Sequence, residues 1–143
     1  CAISSDMMTG FCSETEEEHK DTLYVMEQAK YSMAYMFAYS ERPGTPAQKR
    51  LTDDVPEEVK KRRLNEVIRL QNQLSYAHNQ NDIGKVFKVL IEGNSKRSEN
   101  DFKGRTSQNK VVNFPKKEGL GKGDYTHVRI LSGTSASLRG EIV

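Results

Sequence analysis

At His78-Asn-Gln-Asn-Asp82 the spacing of apolar residues changes period, and this change constrains the fold more than any other feature of the chain. Before it, Val59, Leu64, Val67, Ile68 and Leu74 recur at helical intervals from Pro56 to about His78. After it, Phe87, Val89 and Ile91 alternate with Lys88, Leu90 and Glu92, the period-2 pattern of a strand with one packed face. A helix cannot keep the second pattern on one face, so the chain is read as two units joined by a helix, with His78–Asp82 as a polar hinge. The expected domains are residues 1–54, a linking helix over 55–81, and 82–143.

Charge divides at the same place. Residues 1–81 hold 10 Lys/Arg against 13 Asp/Glu, net −3, and residues 82–143 hold 12 against 7, net +5. A basic unit joined to an acidic one points to a polyanionic partner for the basic half. A length of 143 residues with 35% apolar content allows two small cores. The two cysteines, Cys1 and Cys12, have no metal-ligand spacing, so no metal site is expected. With no long apolar run and no cysteine framework, the expectation is a cytoplasmic protein with no membrane partner.

In the first unit, Cys1–Phe11 is a short apolar run ending in Gly10-Phe11, followed by a helical pattern from Glu16. Thr15 and Glu18 have the spacing of a capping box, and Glu16, Glu17 and Glu18 complement the positive end of the helix dipole. Leu23, Met26 and Ala29 share a face of this helix, which is expected to reach about Lys30. Tyr31–Tyr39 carries no charge and reads as a buried strand. Strand, helix, strand is the step of a parallel sheet, in which ligands sit beyond the strand ends, here at Ser40–Ala47. Ala47–Leu51 suits a helical turn, and Pro56 with Glu57 and Glu58 suits a helix start. Lys60-Lys61-Arg62-Arg63 is expected to be a solvated face, because Glu57 and Glu58 precede Lys61 and Arg62 at helical spacing.

In the second unit, short strands are marked by Phe87–Ile91, Val111–Asn113, Thr126–Ile130 and Leu138–Ile142, separated by Gly119-Leu-Gly121-Lys-Gly123 and Ser132-Gly133-Thr134. About five short strands in some sixty residues predict a small, partly open barrel of the oligonucleotide-binding type. Lys96, Arg97, Lys103, Arg105 and Lys110, with Thr106 and Asn109 as neutral donors and acceptors, are the candidate RNA-binding residues. Phe102 and Phe114 could stack on bases, although core is the commoner place for phenylalanine in so small a barrel.

Four segments together carry a resemblance: Asp6–Thr15, Tyr39–Ala47, Val55–Leu64 and Gly104–Val112. In that order they resemble the C-terminal portion of the radical-SAM tRNA methylthiotransferases. The resemblance implies an α+β chain: the end of a partial βα (TIM-like) barrel, a linking helix, and a five-stranded OB-like TRAM domain that grips tRNA. It implies a C-terminal piece of a longer transferase, one that adds a methylthio group to C2 of isopentenyl-modified adenosine next to the anticodon. The implied cofactors of the intact enzyme are S-adenosyl-L-methionine and two 4Fe-4S clusters, whose cysteine ligands this sequence lacks, so no catalytic residue is assigned and the piece alone is expected to be inactive. Asp6, Ser40 and Arg42 are implied near the mouth of the partial barrel as adenosylmethionine or substrate contacts, Arg42 as an anion clamp. The implied partner is the tRNA anticodon stem-loop. A barrel reduced to two strands would expose Met33, Tyr35 and Phe37, so self-association through those strands is also expected. The alternatives are a non-catalytic OB-like module binding RNA or protein, and the relatives that modify a ribosomal protein.

Overall fold

The structure, a computed structural model, describes residues 1–96 and 98–143 and forms two compact units, Ala2–Leu74 and Ser75–Val143. In the first, β1 (Ser4–Thr9) and β2 (Met33–Ala38) pair in parallel, from Ser4 opposite Met33 to Thr9 opposite Ala38. Helix α1 (Glu16–Ala29) makes the crossover that parallel pairing requires. It starts where Thr15 accepts from the Glu18 amide while Glu18 accepts from the Thr15 amide at 2.7 Å, completing the capping box. Lys30 ends it in the left-handed region, its N–H donating to the Met26 carbonyl.

The reading of Tyr31–Tyr39 as a buried strand is corrected. Tyr35 and Phe37 are 58% and 55% exposed, while Ala34 and Tyr39 are buried. The segment is uniformly apolar, but the sheet has only two strands, and one of its faces stays open.

Beyond β2 lie α2 (Pro46–Arg50), capped by Thr45 with Pro46 in its first turn, and the long α3 (Glu57–Gln80). The buried line of α3 is largely polar: Lys60, Arg63, Val67 and Gln71, then Ser75 and Asn79 in its last turns. Lys60-Lys61-Arg62-Arg63 is therefore not one solvated face. Lys61 and Arg62 are exposed, whereas Lys60 donates to Asp53 at 2.6 Å and to the Tyr39 carbonyl, and Arg63 pairs with Glu14 at 2.9 Å. Burial alone would lower the Lys60 pKa, but hydrogen bonds to Asp53 and Glu57 outweigh it and hold the ammonium charged. Glu16, hydrogen-bonded to Arg62 and Arg63, is held at a pKa of about 2. The solvated-face reading failed at Lys60 and Arg63 because Asp53 and Glu14, which pair with them in the interior, lie 7 and 49 positions away.

The second unit is a closed barrel in the order β3-β4-β5-β7-β6, formed by β3 (Val86–Asn94), β4 (Asp101–Thr106), β5 (Val111–Pro115), β6 (Tyr125–Gly133) and β7 (Leu138–Ile142). The pairs are antiparallel except for β5 with β7, which is parallel and joins at Val112–Leu138 and Asn113–Arg139. The barrel is thus closed, where a partly open one was expected. The five-strand count holds, but β4 has no aliphatic alternation to mark it, since Phe102, Gly104 and Thr106 supply its inward face. Val89, Ile91, Phe102, Val112, Phe114, Val128, Ile130 and Leu138 form the core. Phe102 and Phe114 meet edge to face at 6.0 Å inside it, so neither is free to stack on a base. Gly104 has no room for a side chain: a Cβ there would lie 2.4 Å from Val89 Cγ1 and 2.7 Å from the Leu90 carbonyl oxygen.

The stretch read as a hinge is instead attached to the barrel. Helix α3 continues to Gln80, Asn79 donates to the Thr134 carbonyl at 2.7 Å, and Gln80 donates to that of Gly133 at 2.8 Å. Among the described residues no helix is long and apolar enough to cross a membrane.

Candidate nucleic-acid interface

Four of the candidate residues are brought together by the tight connection between β4 and β5. Thr106 is buried at its base, and its hydroxyl accepts from the amides of Gln108 and Lys110 while its own N–H donates to the Lys110 carbonyl. Asn109 takes the left-handed conformation that asparagine tolerates better than most side chains. Arg105 reaches back across the turn, donating to Asn109 Oδ1 at 2.8 Å and to the Asn109 carbonyl, and its Nε donates to Glu92 at 2.8 Å. Ser107 and Asn109 stand exposed at the tip.

Lys110 has a different environment from the one expected of a phosphate ligand. Its side chain is 11% exposed and paired with Asp82, itself 8% exposed, with the His78 carbonyl as a further acceptor. Lys85 adds a second cation at 3.1 Å from Asp82. Burial by itself would raise the Asp82 pKa, but the Lys110 and Lys85 hydrogen bonds override it and hold the carboxyl below the usual range. This group fastens the start of β5 to the chain segment leaving α3.

Lys103 and Arg105 point outward from β4, two residues apart, and share Glu92 on β3, Lys103 at 3.4 Å. Both keep about a third of their side-chain surface. Lys96 is exposed in the β3–β4 connection; Arg97 lies outside the described residues. The outward face of β4 with its preceding connection therefore gathers Lys96, Lys103, Arg105 and the exposed turn tip. Thr106 and Lys110 shape that turn from within. Glu92 and Asp82, which set the geometry of these cations, were missed in the sequence because they lie 13 and 28 residues from their partners and no local pattern connects them.

In the first unit, Ser40 and Arg42 are exposed just beyond the end of β2. The Arg42 carbonyl accepts from both the amide and hydroxyl of Thr45, which folds the Arg42–Thr45 turn and leaves the guanidinium outward. Asp6 is not at a strand end. It lies in mid-strand opposite Tyr35, on the exposed face that also carries Met8 and Phe37. No group of three His, Cys, Asp or Glu residues able to hold a metal is found among the described residues; Cys1 is exposed and Cys12 buried.

Residues 80–143 match the family model of the TRAM domain. Over its full length the chain is 58% identical to a tRNA-2-methylthio-N(6)-dimethylallyladenosine synthase of Porphyromonas gingivalis and 54% identical to one of Phocaeicola vulgatus, covering 31% of each. The protein of the same name from Amoebophilus asiaticus is 56% identical over 99% of this chain and 29% of its own length. The chain thus spans about three-tenths of these relatives, at their C-terminal end.

Proposed function

We propose that the chain is the C-terminal portion of a tRNA methylthiotransferase and that its barrel, which matches the TRAM domain over residues 80–143, is the tRNA grip of such an enzyme. The intact protein then adds a methylthio group to C2 of isopentenyl-modified adenosine next to the anticodon, in the cytoplasm, where tRNA is handled. The observation that carries the reading is the identity of more than half of all positions along the entire chain, joined to a closed barrel with an outward cationic face at Lys96, Lys103 and Arg105. Arginine and lysine on a strand face grip phosphate, and the exposed turn tip at Ser107 and Asn109 can meet unstacked bases.

The open face of β1 and β2, with Asp6, Met8, Tyr35 and Phe37, suits the inner wall of a larger parallel barrel. Ligands in such barrels sit at the C-terminal ends of the strands, which is where Ser40 and Arg42 emerge. Arg42 offers a guanidinium to an anionic group such as the carboxylate of adenosylmethionine, and Asp6 a polar contact farther down the wall. Adenosylmethionine and iron-sulfur clusters would supply the radical chemistry. Cys1 and Cys12 do not fit a cluster, since one is exposed, the other buried, and no group of three metal-ligating residues is found among the described residues, so neither is assigned as a ligand.

The test is binding of the chain to an anticodon stem-loop and to a scrambled hairpin of equal length over a salt series. Tighter binding to the anticodon stem-loop supports the reading. Equal binding to both restricts the barrel to an electrostatic grip, and binding to neither refutes it.

A further inference from the structure

The cations of the β4 face are largely engaged within the protein, Lys103 and Arg105 with Glu92 and Lys110 with Asp82. The neighbouring face of the barrel is differently built. Strands β3 and β6 pair with Leu90 opposite Tyr125, Lys88 opposite His127 and Val86 opposite Arg129. Directly opposed residues of an antiparallel pair project to the same side, so these six form one outward ladder. Lys88, Tyr125, His127 and Arg129 are all exposed. The ladder also adjoins β4, because Leu90 lies between Tyr125 on one side and Arg105 on the other.

We propose that this β3–β6 face is a second contact for single-stranded RNA, with the Tyr125 ring as its stacking platform and Lys88 and Arg129 as its phosphate ligands. The inference rests on the tRNA-gripping reading and extends it from β4 across Leu90. Tyr125 is 59% exposed on a strand, where burial would be the ordinary use of an aromatic ring. Lys88 Nζ lies 4.7 Å from the ring centroid, covering one side of the ring and leaving the other to a base. Lys88 makes no ion pair among the described residues. Among the described residues, the one carboxylate paired to the ladder is Glu141, 4.0 Å from Arg129, with both side chains half exposed. Two cations, an imidazole and an open aromatic ring against one loosely held carboxylate favour a polyanion with flat bases over an acidic peptide, which has no use for the ring's free face.

The probe is a fluorescently labelled single-stranded oligoribonucleotide titrated with the chain and its variants over a salt series. Tyr125→Ala is expected to weaken binding by about 5- to 150-fold, the range for loss of one base-aromatic stack. Tyr125→Phe should keep the wild-type affinity, and Lys88→Ala should flatten the salt dependence by about 0.7 of a unit of slope. Tyr125→Val, which retains strand propensity without the ring, repeats the test if the alanine variant melts early. Lys20→Ala, on the exposed side of α1, controls for loss of a charge. If the wild-type chain binds the oligonucleotide while the Tyr125 variants and Lys88→Ala bind as tightly as it does, with the same salt slope, the β3–β6 contact is refuted and the β4 grip stands. If the wild-type chain binds no RNA at all, both readings are overturned.

Discussion

Replacing Lys110 by alanine separates two roles that its sequence position confounds. A lysine in Gly104–Lys110 looks like a phosphate ligand, whereas the structure commits it to Asp82 in a pair with 11% and 8% of side-chain surface exposed. Removing one partner of a fully buried pair costs about 3–5 kcal/mol, since it leaves a buried charge uncompensated. Here Lys85 still approaches Asp82 at 3.1 Å from a largely solvated position, so about 2–3 kcal/mol is the reasonable loss. For a unit of this size, that lowers the melting temperature by roughly 10–20 °C. The pH dependence follows from the depressed Asp82 pKa: the pair's contribution is present above the ordinary aspartate range and is lost as pH falls through the lower folded value. The assay is thermal unfolding of wild type, Lys110→Ala and the double variant Asp82→Asn with Lys110→Met, together with RNA binding over a salt series below the melting range. The single variant should melt early with an unchanged salt slope, and the double variant should recover most of the loss because it leaves no unpaired charge. A single variant that melts within about 2 °C of wild type but loses about 0.7 of a unit of salt slope would refute the reasoning and make Lys110 a phosphate ligand.

Gly104→Ala should cost roughly 2 kcal/mol or more, because its Cβ meets the Leu90 carbonyl as well as the Val89 side chain and backbone cannot yield as a side chain can; chemical denaturation measures it. Thr15→Ala removes the acceptor at the start of α1 and should lower stability by about 1 kcal/mol in the same experiment. Tyr35 and Phe37 expose apolar surface on an open sheet face, so the chain should self-associate at micromolar concentration, and Tyr35→Lys with Phe37→Lys should return it to a monomer by light scattering. On the proposed reading, Arg42→Ala in the longer protein should reduce turnover at limiting adenosylmethionine, measured by methylthio incorporation; unchanged turnover would remove the clamp role.

What was legible from sequence was what depends on neighbours a few residues apart. The capping box at Thr15–Glu18, the helix boundary near Lys30, the period change before β3 and the β3, β5, β6 and β7 strands all rest on spacings of two to four residues. Closure of the barrel was not legible, because it depends on the parallel contact of Val112 and Asn113 with Leu138 and Arg139, which no local pattern specifies. Nor was the interior of α3. Lys60 and Arg63 read as solvated because lysine and arginine are rarely buried, and the carboxylates that make burial tolerable, Asp53 and Glu14, belong to other segments.

The same limit bears on how a polar motif should be read in a small barrel. Gly104–Lys110 contains three residues whose side chains bond within the protein: Arg105, from the outward face, to Asn109 and Glu92, Thr106 to two amides, and Lys110 to Asp82. A barrel of 69 residues has one small apolar core and several connections to hold, and a four-residue turn between strands needs its backbone donors satisfied before its surface can be used for anything else. The turn's internal bonds fix the position of Ser107 and Asn109 at its tip, and an ordered tip loses less conformational freedom on binding than a mobile one. On the proposed reading the polar residues of the motif serve recognition largely by holding the exposed ones in place, while Lys88, Tyr125, His127 and Arg129, outside the motif, stand exposed on the neighbouring face.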